Sequence, residues 1–155
     1  MIKKMFFVLA LILQANITFS QDILVLDNEI KKEESVAFAV IEEVPIFPGC
    51  EDVERNERLA CFQKKMAEHI IGNMKYPREA RRKNIQGRVI VLFVINKEGI
   101  VENIVARGPA GCENCEILEK EAIRIISLLP NIKPGMQKGK TVKVKYAQPM
   151  TFKLQ

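Results

Sequence analysis

The feature that most constrains the fold is the C-terminal run Thr141–Leu154 (TVKVKYAQPMTFKL), in which apolar and polar side chains alternate. Its even positions carry the apolar residues Val142, Val144, Tyr146, Met150, Phe152 and Leu154. A two-residue period predicts a β-strand with one buried and one solvated face. Because Pro149 cannot donate a ladder hydrogen bond, we expect this strand at a sheet edge. A long edge strand predicts pairing with an extended segment of a partner.

The first residues have the layout of an export signal. Lys3 and Lys4 precede the apolar run Met5–Leu13, and small residues flank Phe19 ahead of Gln21. The run is much shorter than the roughly 20 residues that a membrane-spanning helix requires. We therefore predict a signal peptide over residues 1–20, a lead-in over residues 21–45 and a folded domain over residues 46–155. An uncut signal would instead anchor the chain in the inner membrane.

Four cysteines in an exported chain predict disulfides, and four cysteines allow three pairings. We favour the local pairing, which joins Cys50 to Cys61 and Cys112 to Cys115. A zinc site is the weaker alternative, because Cys112-x-x-Cys115 supplies one good half-site and the other two cysteines supply a poor one.

The periodicities along the chain predict an α+β fold. Apolar residues recur at three- and four-residue spacing, or alternate, in these segments: a short strand at 36–41, helices at 56–73, 77–83 and 115–129, and strands at 86–95 and 100–107. The strand at 86–95 is apolar on both faces. It is therefore either central and covered on both faces, or it shows apolar surface to a partner.

The strongest enzymatic pattern is Cys112-Glu113-Asn114-Cys115, which lies just before a predicted helix. A helix N-terminus lowers the pKa of a thiol, so a dithiol oxidoreductase is the alternative function. The chain lacks the repeated βαβ pattern of thioredoxin-like proteins, which favours a structural disulfide. His69 is the sole histidine and has no evident nucleophile or acid partner, so it is a weak catalytic candidate. We expect neither catalysis nor a cofactor.

The last third of the chain is rich in lysine, but its aromatic residues Tyr146 and Phe152 lie on the apolar face of the predicted strand. Nucleic-acid patches combine such charge with exposed aromatic platforms. We therefore expect no nucleic-acid partner, and we interpret the lysines as a solvated strand face.

Several motifs together resemble the TonB C-terminal domain family over about residues 74–155. They are Tyr76-Pro77, Gln86-Gly87-Arg88-Val89, a hairpin turn ending at Gly99, Lys133-Pro134-Gly135, and Val144-x-Tyr146-x-x-Pro149-x-x-Phe152. The lead-in Val44-Pro45-x-Phe47-Pro48-Gly49-Cys50, with Cys61, looks like stand-alone members from Bacteroidetes-type bacteria.

The resemblance implies a small three-stranded antiparallel sheet with two or three helices packed on it. It also implies a periplasmic, non-enzymatic module that binds an outer-membrane TonB-dependent transporter in energy-dependent transport. An extended transporter segment would pair with the final strand, at Thr141, Val142, Lys143, Val144, Lys145 and Tyr146, with Tyr76 and Pro77 nearby. If the signal is uncut, inner-membrane motor proteins would be further partners. A domain that forms a homodimer through its last strand is the structural alternative.

Overall fold

The two longest strands form the centre of a mixed β-sheet in the computed structural model, which describes residues 35–154. The strands are β1 (Ser35–Ala37), β2 (Gly87–Ile95), β3 (Val101–Arg107), β4 (Met136–Gln137), β5 (Lys140–Thr141) and β6 (Lys143–Phe152). The main sheet has the order β1-β6-β2-β3, and β4 and β5 form a separate two-stranded hairpin. The predicted signal peptide and most of the predicted lead-in lie outside the described residues.

Strands β2 and β6 pair antiparallel along their whole length, from Gly87 opposite Phe152 to Ile95 opposite Val144. On its other side β2 pairs antiparallel with β3, with a register shift between Leu92 and Val94. The predicted α+β class is confirmed. The sheet has four strands rather than the three expected, because β1 adds to it in parallel.

Three helices cover one face of this sheet: α1 (Arg58–Asn73), α2 (Arg78–Arg82) and α3 (Glu116–Ser127). A short 3-10 helix (Phe38–Val40) follows β1, where an uninterrupted strand was expected over 36–41. Alternate residues of β2 point to the helices and are fully buried: Val89, Val91, Phe93 and Ile95. Of the intervening residues, Ile90 and Leu92 stay exposed but Val94 is buried, so β2 is central in the sheet and its second face is covered only near its C-terminal end.

The helices bury the stripes that their spacing predicts. Helix α1 buries Phe62, Met66 and Ile70, and α3 buries Leu118, Ala122, Ile125 and Ile126. Leu59 and Ile71, which fit the same pattern on α1, are exposed. They lie at the margins of the apolar stripe, which is therefore narrower than the spacing suggested.

Both local disulfides are present, as predicted. Cys50 is joined to Cys61 with a Cα–Cα distance of 6.0 Å, which fastens the segment before α1 to the first turn of that helix. Cys112 is joined to Cys115 with a Cα–Cα distance of 5.6 Å, at the start of α3. Every cysteine within residues 35–154 is therefore paired.

Candidate functional site

The two edges of β6 have different neighbours. One edge pairs with β2 over nine of the ten residues of β6, and the opposite edge carries β1, which covers Lys143–Lys145 alone. The expectation that this part of the strand is a free sheet edge is therefore wrong. The alternation within β6 fixed its buried face, but it contained no information about which distant segment lies beside it. The edge after Lys145 has no partner strand within residues 35–154.

The six residues predicted to dock a partner do not form one continuous strand. Thr141 belongs to the β4–β5 hairpin, where it pairs with Met136 and is exposed. Val142 lies between the hairpin and β6, and its N–H donates to the Gly135 carbonyl oxygen at 3.1 Å. Strand β6 begins only at Lys143. Of these six residues, Lys143–Tyr146 lie on β6.

The lysines of β6 lie on the face of the sheet opposite the helices. Lys143 donates to Glu102 at 3.0 Å, and this hydrogen bond is the main reason that the pKa of Glu102 is lowered. Lys145 lies opposite Val94 of β2 and Ala37 of β1 and is half-buried. Of these two lysines, Lys143 is therefore balanced by an ion pair with Glu102.

Tyr146 points to the other face, into an aromatic cluster. Its ring centroid lies 4.5 Å from that of Phe38, 5.3 Å from that of Phe62 and 5.6 Å from that of Phe93. Burial among these rings raises the pKa of the Tyr146 hydroxyl. Sequence reasoning did not identify Phe38, which is the ring that covers Tyr146 from outside the sheet. The only indication was its two-residue spacing from Val36 within the apolar run at 36–41.

An open groove of about 580 Å³ runs between the lead-in and the edge of β6. Its walls are apolar and include Phe38, Leu59, Leu92 and Tyr146, and Lys145 lies at its margin. This groove, the outer edge of β6 and the aromatic cluster together form the candidate site, which we call the β6 edge site. Beyond Lys145, where β6 has no outer partner strand within residues 35–154, it offers main-chain groups beside an apolar surface, which suits an extended peptide.

The family model described as Gram-negative bacterial TonB protein C-terminal matches residues 72–154, more than half of the chain. The chain belongs to the TonB C-terminal domain family. Members of this family in general interact with outer-membrane transporters, act in the periplasm and serve as non-enzymatic interaction domains. No match was found among curated protein sequences.

Two solution structures of the TonB C-terminal domain of Helicobacter pylori are similar to this chain. The structure of residues 179–285 is 23% identical with a TM-score of 0.45, and the match covers 68% of this chain and 87% of that one. The structure of residues 194–285 is 26% identical with a TM-score of 0.41, and the match covers 59% of this chain and 92% of that one.

In this TonB domain the Tyr76-Pro77 motif lies at the opposite end of β6. The Tyr76 hydroxyl donates to the Ile85 carbonyl oxygen at 2.5 Å, and its ring packs edge-on against Phe152 at 6.2 Å. Phe152 follows Lys145 by seven residues, which corresponds to about 23 Å along a strand. The structure therefore does not bring Tyr76 and Pro77 to the part of the edge that β1 covers.

A charged network holds the chain in place just before Tyr76. The Glu121 carboxylate accepts from the Lys75 backbone N–H at 2.9 Å and from Arg124 at 2.6 and 2.7 Å. Arg124 also donates to the Asn73 carbonyl oxygen at 2.7 Å. This hydrogen bond connects the Glu121–Arg124 ion pair of α3 to the last residue of α1. Burial raises the pKa of Glu121, but the bonds from Arg124 and Lys75 outweigh burial and hold this pKa below its usual value.

The lowered pKa predicts the sign of a pH effect. The ionised Glu121 stabilises the fold above its unfolded pKa of about 4.3, and this contribution is lost as the pH falls through the lower folded pKa. We expect Glu121→Gln to lower the free energy of unfolding by about 1–2 kcal/mol at pH 7. The deficit should shrink below about pH 4. Urea denaturation of the unmodified and Glu121→Gln proteins from pH 3 to 7 measures this loss of unfolding free energy. Glu116→Gln, at an exposed position on α3, is the control. A deficit that is the same at every pH would contradict this origin.

The Cys112–Cys115 pair closes the corner between β3 and α3. Cys115 is buried, and a Cβ atom on Gly108 would lie 2.8 Å from the Cys115 Cβ, so the Gly108 backbone packs closely against the Cys115 side chain. Glu119 accepts from the Gly108 N–H at 2.7 Å beside this bond. The geometry suits a structural clamp.

The two remaining candidates from the sequence are His69 and a metal site. The His69 Nε2 atom lies 2.9 Å from the Ile125 carbonyl oxygen, which links α1 to α3. Within residues 35–154 no group of three or more histidine, cysteine or acidic side chains is placed to hold a metal ion. None of the helices in that range combines the length and the apolar character needed to cross a membrane.

Proposed function

We propose that this domain docks an extended segment of an outer-membrane TonB-dependent transporter by strand addition to the β6 edge site. The observation that carries the proposal is that this edge already holds a strand, β1, in parallel register with Lys143–Lys145. A surface that accepts one extended segment through main-chain hydrogen bonds can accept another, because such bonds depend little on sequence. Membership of the TonB family supplies the class of partner.

The direction of the main-chain N–H groups of β6 also supports docking at this edge. Proline in a sheet is confined to positions whose missing N–H faces away from the neighbouring strand. Pro149 lies opposite Ile90 in an unbroken register, so we infer that odd-numbered residues of β6 direct their N–H groups outward. Lys145 and Ala147 would then offer donors to an incoming strand, and Pro149 would end the usable edge.

The cellular setting follows from the same proposal. The two disulfides are consistent with an oxidising compartment such as the periplasm, which an export signal over residues 1–20 would reach. A lead-in over residues 21–45 would precede the binding domain. The last part of that range contains β1, which is a strand of the main sheet. An uncut signal would add inner-membrane motor proteins as partners and allow the domain to transmit force.

Binding of a synthetic transporter segment tests the proposal directly. In an amide NMR titration we expect the shifts to concentrate in Lys143–Ala147. We expect Ala147→Pro, which removes one outward donor, to weaken binding about three- to tenfold. Ala147→Ser keeps that donor and is the matched control. Peptides with the same composition in scrambled order control for non-specific binding. Shifts confined to other surfaces, or equal affinity of both variants, would refute strand addition at this edge.

A further inference from the structure

The lead-in is fastened firmly from Glu42 onward. The Glu42 side chain accepts from the Lys138 N–H at 2.7 Å and from the Gln137 amide at 3.1 Å. Glu43 and Met136 exchange two main-chain hydrogen bonds of 3.0 Å each. Farther along, Ile46 exchanges two with Lys133, and the Cys50–Cys61 disulfide follows. A segment held at this many points is not expected to leave the domain separately.

The preceding residues, Ser35–Ile41, are held much less firmly. They contact the rest of the domain through the three residue pairs of β1, through the ring of Phe38 and, at the end of the segment, through the Ile41 side chain beside Gly135. No residue of this segment is fully buried, and Val40 is 70% exposed. Segments with few buried contacts open at a small fraction of the global unfolding free energy. Ile41 is therefore the natural hinge between a removable segment and a fixed one.

Removal of this segment would uncover a specific surface. Phe38 lies over Phe62 at 5.0 Å and over Tyr146 at 4.5 Å, so its departure leaves two aromatic rings facing the groove. The main-chain groups of Lys143–Lys145 that pair with β1 would be freed at the same time. The uncovered site thus has a strand edge that fixes the direction of an incoming segment. It also has an aromatic pocket, at the place that Phe38 occupied two residues after Val36.

We propose that Ser35–Ile41 is a displaceable self-ligand that occupies the β6 edge site until a partner replaces it. The inference rests on the proposed function and specifies the partner. The incoming segment runs parallel to β6, places an apolar side chain where Val36 lies, and places an aromatic side chain two residues later where Phe38 lies. Displacement also regulates the site, because the affinity that a partner shows is its intrinsic affinity multiplied by the fraction of molecules that are open.

A peptide with the sequence of residues 35–41 (SVAFAVI) tests this proposal without knowledge of the natural partner. Phe38→Ala loosens the self-ligand, so we expect it to bind the added peptide at least about tenfold more tightly than the unmodified protein does. Val40→Ala, in the same 3-10 helix but exposed, is the matched control and should leave the affinity unchanged. A peptide with alanine in place of its phenylalanine should lose most of its affinity for the Phe38→Ala protein.

A locked variant, in which a disulfide holds β1 on β6, should bind less added peptide, not more. This test does not depend on the stability of the Phe38→Ala protein. Ala37 and Lys145 are opposite each other in register, at a strand spacing of about 4.8 Å, which is within the range for a disulfide. The double variant Ala37→Cys and Lys145→Cys, oxidised and verified by mass spectrometry, should bind no added peptide. Each single cysteine variant controls for the loss of the native side chain.

The outcomes separate this inference from the proposed function. Equal peptide affinity of the unmodified, Phe38→Ala and locked proteins would overturn the self-ligand. If a transporter segment shifts β6 amides equally in all three, the docking function stands and the self-ligand is refuted. If the SVAFAVI peptide binds the Phe38→Ala protein but no transporter segment binds any variant, the self-ligand stands and the transporter function fails.

Discussion

Gly99→Ala is expected to lower the free energy of unfolding by about 4 kcal/mol or more, enough to unfold a domain of ordinary stability. Gly99 ends the hairpin turn between β2 and β3 with a φ of +83°, a conformation that an L-residue adopts only with strain. A Cβ atom at this position would lie 1.8 Å from the Ile132 carbonyl oxygen. The obstacle is backbone, so no side-chain rotation can relieve it.

The same contact is part of the fold, because the Ile132 N–H donates to the Gly99 carbonyl oxygen at 2.9 Å. Ile132 is itself buried, so the loop after α3 cannot withdraw without opening the core. Chemical denaturation followed by circular dichroism measures the loss. Gly139→Ala is the matched control, since Gly139 has a φ of +72° but open space around a Cβ atom. We expect it to lose only about 1–2 kcal/mol. Similar losses at both positions would show that the contact with Ile132 is unimportant.

The turn at Gly99 shows what the sequence could predict and where it stopped. The run Asn96-Lys97-Glu98-Gly99 between two apolar segments predicts a hairpin with a positive φ at glycine. Asn96 closes the turn by accepting from the N–H groups of Glu98 and Ile100. All of this is local. The contact with Ile132 joins residues 33 positions apart, which no pattern within the turn contains.

The strands show the same difference between local patterns, which the sequence contains, and distant contacts, which it does not. Strands β2, β3 and β6 have seven or more residues each, so their alternation was visible and their bounds were predicted to within about two residues. Strands β4 and β5 have two residues each, which is too short for a period to show, and β1 ends at Ala37, well before the end of the strand expected over 36–41. A strand was expected over 36–41, but its pairing with β6 was not, because a short apolar run does not indicate which distant strand it joins.

Phe62→Ala is the second change with a large expected effect, a loss of about 3–5 kcal/mol in unfolding free energy. Phe62 is completely buried on α1. Its ring centroid lies 5.0 Å from that of Phe38, 6.0 Å from that of Phe47 and 5.3 Å from that of Tyr146. Truncation removes the ring that joins the lead-in, the helix and β6, and it leaves a cavity that these neighbours cannot fill without moving.

The change should also act on the β6 edge site, because Phe62 is half of the pocket that holds Phe38. We expect amide hydrogen exchange in Ser35–Ile41 to accelerate more than the loss of global stability explains. Phe62→Leu keeps most of the volume but not the ring faces, and should restore most of the stability. Phe47→Ala, which removes a buried ring between the fastened Ile46 and the Cys50–Cys61 disulfide, is the comparison for a core defect that does not contact Phe38 directly. If Phe62→Ala and Phe47→Ala accelerate exchange in Ser35–Ile41 equally at matched stability, Phe62 has no particular role in holding that segment.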